Sequence, residues 1–382
     1  MSTADSKATT DLYSLRIAVK SVLALLSSFQ SSLTSSEAFP PSDISNQPNP
    51  LRLLSDACAL LKAQTTKLSL LIINKPFTPT AITFILNNIS TECLPALITA
   101  LELCPSKQYT ALLREHIRAN LLRIMKEMTS LLATIPVDEK VLVTSVGSVN
   151  EENGRDTLSS TGVIWEVCDT LMALASNGLV DLAVNKADAY HALIKDALAE
   201  LEEWNPDEED DDMFSSGSSA QSESNQGVDS EHAAGSPPTT AMNAMTLTPP
   251  ATPTPIRQMY DQTLATLRMI RLLYPALRKR RVQTFPSINS STPMDQLPTS
   301  WQIYAFDNLM KSLRTFSETA DELAGSLYSQ DEEQASGGLE AIRIFALECI
   351  QDVDQSWDRK EDEFTAWAQK WARRLEEISP NS

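Results

Sequence analysis

Histidine, cysteine and carboxylate side chains build most hydrolytic and metal sites, and this 382-residue chain has only three histidines. They are His116, His191 and His232, and none has a second histidine, cysteine or carboxylate at a spacing strong enough to predict a metal site. His191 lies on the apolar stripe of a predicted helix, which suits a ligand or base but is more typical of a core histidine with a hydrogen-bond partner. No glycine pattern that would cradle a phosphate is present. We therefore expect no catalytic residue, no metal, no cofactor and no enzymatic activity.

Three Thr-Pro steps are candidates for modification. Thr248, Thr252 and Thr254 each precede a proline, and an extended, accessible Thr-Pro is what a proline-directed kinase requires. Each phosphate would add about −1.5 to −2 charges. The alternative is a stiff polyproline-type linker without modification. Nearby, the run Asp207 to Asp212 lacks the ligand spacing and glycine of a calcium loop, so we interpret it as a solvated charge run or a docking site for a basic surface.

One basic cluster and one aromatic group complete the candidate sites. The basic cluster consists of Arg278, Lys279, Arg280 and Arg281, and it is a candidate nuclear-import signal or phosphate contact. The alternative is that these cations stabilise the C-terminus of a helix. The aromatic group is a candidate interaction face, because tryptophan is enriched at binding hot spots, and core packing is its alternative. Its members are Trp357, Phe364, Trp367 and Trp371.

Charge and composition limit the class of protein. The net charge is −19, which disfavours direct nucleic acid binding because phosphate contacts need clustered Lys and Arg. The apolar run Leu68 to Ile73 is far shorter than the roughly 20 residues of a membrane span, and the polar N-terminus does not resemble a signal peptide. The five widely spaced cysteines form no CxxC pair, which is typical of a reducing compartment. We expect no membrane partner.

Residues 206–255, called the acidic tether below, are predicted to be disordered. They contain nine acidic residues, no lysine or arginine, eight serines, six threonines and seven prolines. Such a segment cannot bury enough apolar surface to offset the entropy of ordering its backbone. The tether therefore predicts two folded blocks, at residues 11–205 and 256–379, with a disordered tail at residues 1–10.

Both blocks show helical periodicity and no alternating strand pattern. Apolar residues recur at steps of three and four, as on one face of a helix. Pro95 and Pro275 are expected to kink or break their helices, and residues 136–160 are expected to form a loop with a short extended piece at 141–143. The predicted helices cover residues 12–33, 51–73, 79 onward, 106–135, 163–175, 180–204, 256–280, 299–328 and 339–378. The fold class predicted is all-α, with two helical bundles joined by the tether.

Three segments resemble the GCIP family of cyclin-D-interacting proteins. They are Ala63–Leu70 with the proline turn after it, Val163–Cys168 with its Trp and Cys three apart, and Lys195–Glu202 just before an acidic insert. Their order and spacing match, and the resemblance covers about residues 50–205. It implies an all-α protein without catalytic activity that binds D-type cyclins or helix-loop-helix factors, restrains cell-cycle progression or transcription, and is found in cytoplasm and nucleus.

A second interpretation stays open at this point. Long amphipathic helices are equally typical of a structural or cytoskeletal bundle of vinculin or talin-rod style. Sedimentation with actin filaments separates the two hypotheses, because only the cytoskeletal one predicts it.

Overall fold

The computed structural model describes residues 3–35, 48–137, 151–204 and 255–378. Within these ranges the regular structure is helical and no strand occurs, which confirms the predicted all-α class. The α-helices are α1 (Thr3–Thr34), α2 (Pro50–Ile73), α3 (Pro79–Asn88), α4 (Leu94–Glu102), α5 (Ser106–Tyr109), α6 (Ala111–Ala133), α7 (Glu151–Asn177), α8 (Leu179–Glu203), α9 (Pro255–Leu277), α10 (Ser300–Tyr328), α11 (Glu332–Asp352) and α12 (Glu363–Ile378). α1 begins inside the predicted tail at residues 1–10. The extended piece predicted at 141–143 lies outside the described residues.

The helices pack as two adjoining bundles. The first consists of α1, α2, α3, α4, α6 and α7, and the second of α8, α9, α10, α11 and α12. One connected apolar core runs through both. All five cysteines are free and buried, as expected of small hydrophobic side chains. Helix α8 precedes the acidic tether but packs mainly against α9 and α10, which follow it, so by packing it belongs to the second bundle.

Both internal prolines lie beside π-helical turns. The turn Ile89–Cys93 comes immediately before α4, whose second residue is Pro95. Pro275 lies within α9, and the turn Arg278–Val282 follows that helix. A proline removes one backbone donor from the helical ladder, and an i→i+5 turn is one way for a helix to accommodate a disturbed ladder. The interruption predicted at Pro95 thus takes the form of a widened turn.

The loop predicted over residues 136–160 is wrong at its C-terminal end, because α7 begins at Glu151. The first turns of α7 bury hydroxyl groups rather than large apolar side chains: Thr157, Ser160 and Thr161 are all buried. The Thr157 hydroxyl donates to Thr134 Oγ1 at 3.0 Å, and Thr161 shares a hydrogen bond with Ser69. These first turns bury small polar residues and carry no apolar stripe, so the periodicity predicts only the later part of the helix.

The single last helix predicted over 339–378 is also wrong. The chain leaves helical geometry after Asp352 and re-enters it at Glu363, passing through Arg359 at a φ of 59°. Asp362 caps the new helix, since its Oδ1 accepts from the backbone N–H groups of Phe364 and Thr365 at 3.0 and 3.1 Å. This cap marks the start of a new helix, which the apolar spacing alone does not distinguish from a continuing one.

The two bundles meet at a sharp corner between α7 and α8, which are bent by 113° at Gly178. The loop after α9 crosses this corner: Leu179 N–H donates to the Ile288 carbonyl at 2.9 Å and Ser290 N–H donates to the Ala175 carbonyl at 2.7 Å. On α10, the Asp307 carboxylate accepts from the Ala111 N–H at 2.8 Å and so caps the N-terminus of α6. These bonds fix one bundle against the other.

Candidate interaction surfaces

The aromatic group at the C-terminus is mostly core. Trp357, Phe364 and Trp371 are buried. Trp357 Nε1 donates to the Arg281 carbonyl at 2.8 Å, and Trp371 Nε1 donates to the Met269 carbonyl at 3.0 Å. Trp367 differs, because 36% of it is exposed while it stacks between Phe364 and Trp371. Of the four residues predicted to form an interaction face, Trp367 is the one that presents a ring to solvent.

The basic cluster is tied into the second bundle. Arg278 pairs with Asp188 of α8 at 2.7 Å, Arg280 pairs with Glu363 of α12, and Lys279 is exposed. Arg281 is fully buried. These arginines therefore cross-link α8, α12 and the turn after α9, and Arg281 offers no surface to a receptor or a phosphate in this fold. A role in nuclear import stays a prediction.

Arg281 is held by an unusually complete set of partners. Its guanidinium donates to the Val353 and Asp354 carbonyls at 2.7 and 2.8 Å, and it forms an ion pair with Asp362 at 2.8 Å. It also lies over the ring of Phe364, 4.4 Å from the centroid. The hydrogen bond from Arg281 lowers the pKa of Asp362. The two carbonyls that accept from Arg281 belong to the residues that directly follow α11.

Neither described histidine gathers ligands. His191 stacks on Tyr274 with centroids 5.3 Å apart. Burial lowers the pKa of His191, and a hydrogen bond with the Arg271 backbone opposes that shift. In a regular helix the residue four positions later would donate to the Arg271 carbonyl, but that residue is Pro275, which has no N–H. Burial also lowers the pKa of His116. Among the described residues, no group of three or more histidine, cysteine, aspartate or glutamate side chains could hold a metal ion.

The structure leaves two further predictions untested, the Thr-Pro sites and the absence of a membrane partner. Thr248, Thr252 and Thr254 lie outside the described residues. Two helical stretches in the described part, Thr9–Thr34 and Pro79–Glu102, are by length and composition apolar enough to cross a membrane. In the fold, 33% and 44% of their most apolar windows are buried in protein. The absence of a membrane partner remains a prediction.

A groove between α2 and α3, called the α2–α3 groove below, is the surface feature that sequence reasoning missed. It is open, encloses about 790 Å³, and lies where the turn after α2 leads into α3. Its walls are formed by Asp11, Gln64, Lys67, the segment Phe77–Ala81, Phe84, Ile85 and Asn88. Phe84 is 65% exposed at its edge. The signal in the sequence is Gln64, a polar residue placed three positions after Leu61 on the buried stripe of α2.

Two polar atoms at this groove lack partners. Gln64 is only 7% exposed, yet its Oε1 has no hydrogen bond within the described residues, and the same holds for Thr78 Oγ1. Buried polar atoms are nearly always paired, and an unpaired one costs stability. The groove therefore combines an exposed aromatic ring with unused hydrogen-bonding capacity.

Comparison with known proteins connects the first bundle to a family. Residues 53–207 match the family model described as Grap2 and cyclin-D-interacting, N-terminal. This range includes the groove residues on α2 and α3, and it extends through α8. An uncharacterized protein of Schizosaccharomyces pombe is 23% identical over 335 residues, which cover 87% of this chain and 85% of that protein. Over residues 53–207, this match supports the resemblance to the GCIP family of cyclin-D-interacting proteins.

Proposed function

We propose that this chain is a non-enzymatic regulatory protein-interaction protein whose partners are regulators of cell-cycle progression or transcription, with a D-type cyclin as the first candidate. The observation that carries the proposal is the match of residues 53–207 to the cyclin-D-interacting N-terminal domain. A surface with an exposed aromatic ring beside unpaired polar atoms, within that same domain, supports a protein-binding role.

Direct binding tests this proposal. The purified full chain is titrated with a purified D-type cyclin and, separately, with a helix-loop-helix domain, and heat is measured by isothermal calorimetry. We expect saturable binding to at least one of them. Actin filaments serve as the comparison partner, because the cytoskeletal interpretation predicts co-sedimentation with them. Binding to neither regulator contradicts the proposal.

The proposal also covers the subcellular location of the protein and its regulation by phosphorylation. We propose that the protein is present in both cytoplasm and nucleus, and that phosphates at Thr248, Thr252 and Thr254 add charge beside an already acidic segment. Mass spectrometry of the protein isolated from cells, together with imaging of a fluorescent fusion, tests both points. Absence of phosphate at all three threonines would reject the regulatory part and leave the binding function untouched.

A further inference from the structure

The buried carboxamide of Gln64 is the starting point. Its oxygen has no donor among the described residues, although the side chain lies in the wall of an open groove. A buried acceptor without a donor is unfavourable, because it has lost its hydrogen bonds to water and gained nothing in return. The terminal torsion of a glutamine side chain is soft, so the carboxamide could rotate to present this oxygen to a ligand in the groove. A donor supplied by a ligand would then give Gln64 Oε1 the hydrogen bond that it lacks.

The charges at the groove limit what that ligand can be. Lys67 and Asp11 both line the groove, and neither takes part in an ion pair described for this fold. One cation and one anion give no net attraction for a phosphate or a metal ion. They match instead the two ends of a peptide dipole, since the ammonium group of Lys67 can donate to a carbonyl and the carboxylate of Asp11 can accept from an N–H.

The backbone conformation of the ligand follows from the same groups. Beyond its first turn, a helix uses its backbone N–H groups internally, so a helix docked along its side would have no backbone donor for Gln64. An extended segment has donors and acceptors free and can offer them to a groove. Lipid tails, the other apolar surface that Phe84 could meet, contain no donor at all.

The apolar part of the groove specifies the side chain. Phe77, Phe84 and Ile85 lie along it. Covering the mostly exposed ring of Phe84 with another apolar group would remove apolar surface from water, which is favourable. We propose that the α2–α3 groove binds an extended peptide segment of a protein partner, with a bulky apolar side chain against Phe84 and a backbone N–H donating to Gln64 Oε1. This inference rests on the proposed function, because it locates where the partner binds.

The test uses the full chain and a defined probe. A phage library of random dodecapeptides is selected on the wild-type protein, and enriched peptides are made with a fluorophore and titrated by fluorescence anisotropy. Phe84→Ala and Gln64→Leu are each expected to raise the Kd about tenfold or more. Tyr304→Ala is the matched control, because Tyr304 is 69% exposed on α10, in the other bundle; it should leave the Kd unchanged.

Unfolding cannot account for the expected loss. Gln64→Leu replaces an unpaired buried carboxamide by an apolar side chain of similar size, so its Tm should equal or exceed that of the wild type. Weaker peptide binding together with an unchanged or higher Tm therefore reports on the groove itself.

Three results overturn the inference. In the first, no peptide is enriched. In the second, enriched peptides bind all variants equally; if a D-type cyclin does bind the wild type, the proposed function then stands and only its location is wrong. In the third, the wild type but not Phe84→Ala sediments with phosphatidylcholine–phosphatidylserine vesicles and peptides fail to bind, which would assign the groove to a membrane surface.

Discussion

Arg281 shows how one residue type can suggest a function that its environment removes. As part of a run of four cations it resembles an import signal, yet it is fully buried and bound to two backbone carbonyls and to Asp362. A buried guanidinium is stable only when its donors are satisfied. Its neighbour Arg280 pairs with Glu363 at the surface. Adjacent arginines thus have different roles.

Replacing Arg281 should therefore cost far more than replacing Arg280. Arg281→Ala leaves buried carbonyls and the Asp362 carboxylate without their donor, so we expect a loss of roughly 3 kcal/mol in the free energy of unfolding. Arg280→Ala removes an exposed pair, for which we expect about 1 kcal/mol or less. Urea denaturation measures both. Equal losses for the two variants would show that Arg281 is not the central cross-link.

The Arg281–Asp362 pair also predicts a dependence of stability on pH. The pKa of Asp362 is lowered from its ordinary value of 3.8, so the folded state holds this carboxylate ionised more strongly than the unfolded chain does. The resulting stabilisation is present above pH 3.8 and is lost as the pH falls through the lower folded pKa.

Asp362→Asn tests this dependence. At neutral pH the variant should be less stable than the wild type, and the gap should narrow below pH 3.8 as the wild-type carboxylate takes up a proton. Urea midpoints of the variant and the wild type, measured at neutral pH and below pH 3.8, give the difference in stability at each pH. The other carboxylates are common to both proteins and cancel in that difference. A gap that is the same at both pH values would contradict the assignment.

At the scale of elements, the corner between α7 and α8 decides how the helices are distributed. Gly178 has a φ of +84°, and a Cβ there would lie 2.4 Å from the Ile288 carbonyl oxygen. Only glycine tolerates both the left-handed backbone and this approach. Without it, the loop after α9 could not bond to Leu179 and Ala175. The sequence predicts a helix end at Asn177-Gly178. It does not predict that the loop after α9 crosses this corner, because that contact joins residues far apart in the chain.

Gly178→Ala should destabilise the protein by about 2 kcal/mol or more, since the left-handed conformation alone costs a non-glycine residue roughly 1–2 kcal/mol. Gly162→Ala is the control. Gly162 lies within α7 with nothing within 4 Å of a new Cβ, and the change should stabilise by about 0.5–1 kcal/mol. Thermal unfolding measures the two shifts, which should have opposite signs. A loss in both variants would contradict the proposed close approach.

At the scale of the whole molecule, the acidic tether connects parts that already touch. Trp204, just before it, packs edge-on against Tyr260 and Tyr328, with centroids 5.7 and 5.3 Å apart. Tyr260 also donates to the Leu201 carbonyl at 2.9 Å, and Arg268 pairs with Glu202 at 2.8 Å. Helix α8 thus belongs by chain order to the first block and by packing to the second bundle. The domain limits predicted at 205 and 256 stay a prediction.

Cutting the tether should leave the molecule in one piece. With a protease site inserted between residues 206 and 255, the two fragments are expected to co-elute in gel filtration after cleavage. The apolar faces that α8, α9 and α10 share stay buried whether or not the backbone is continuous. Static light scattering gives the mass of the eluted species. Separation into two smaller species would mean that the bundles need the tether to remain together.

The sequence alone determined what depends on local spacing. The helical class, most helix positions, the breaks near Pro95 and Asn177, and the family resemblance all follow from patterns within a few turns of chain, where one apolar face repeats every 3.6 residues. The sequence shows the aromatic residues at 357–371 as a group, and only the fold separates exposed Trp367 from its buried neighbours.

Tertiary structure decided what depends on residues far apart in the chain. Arg281 binds the carbonyl that follows α11, 72 residues away in the chain. Helix α8 packs with helices beyond the tether, and the α2–α3 groove is lined by residues of α1, α2 and α3, including Gln64. Burial and hydrogen bonding are properties of a residue's neighbours in space, and a pattern along the chain specifies one face of a helix without naming the partner that will cover it.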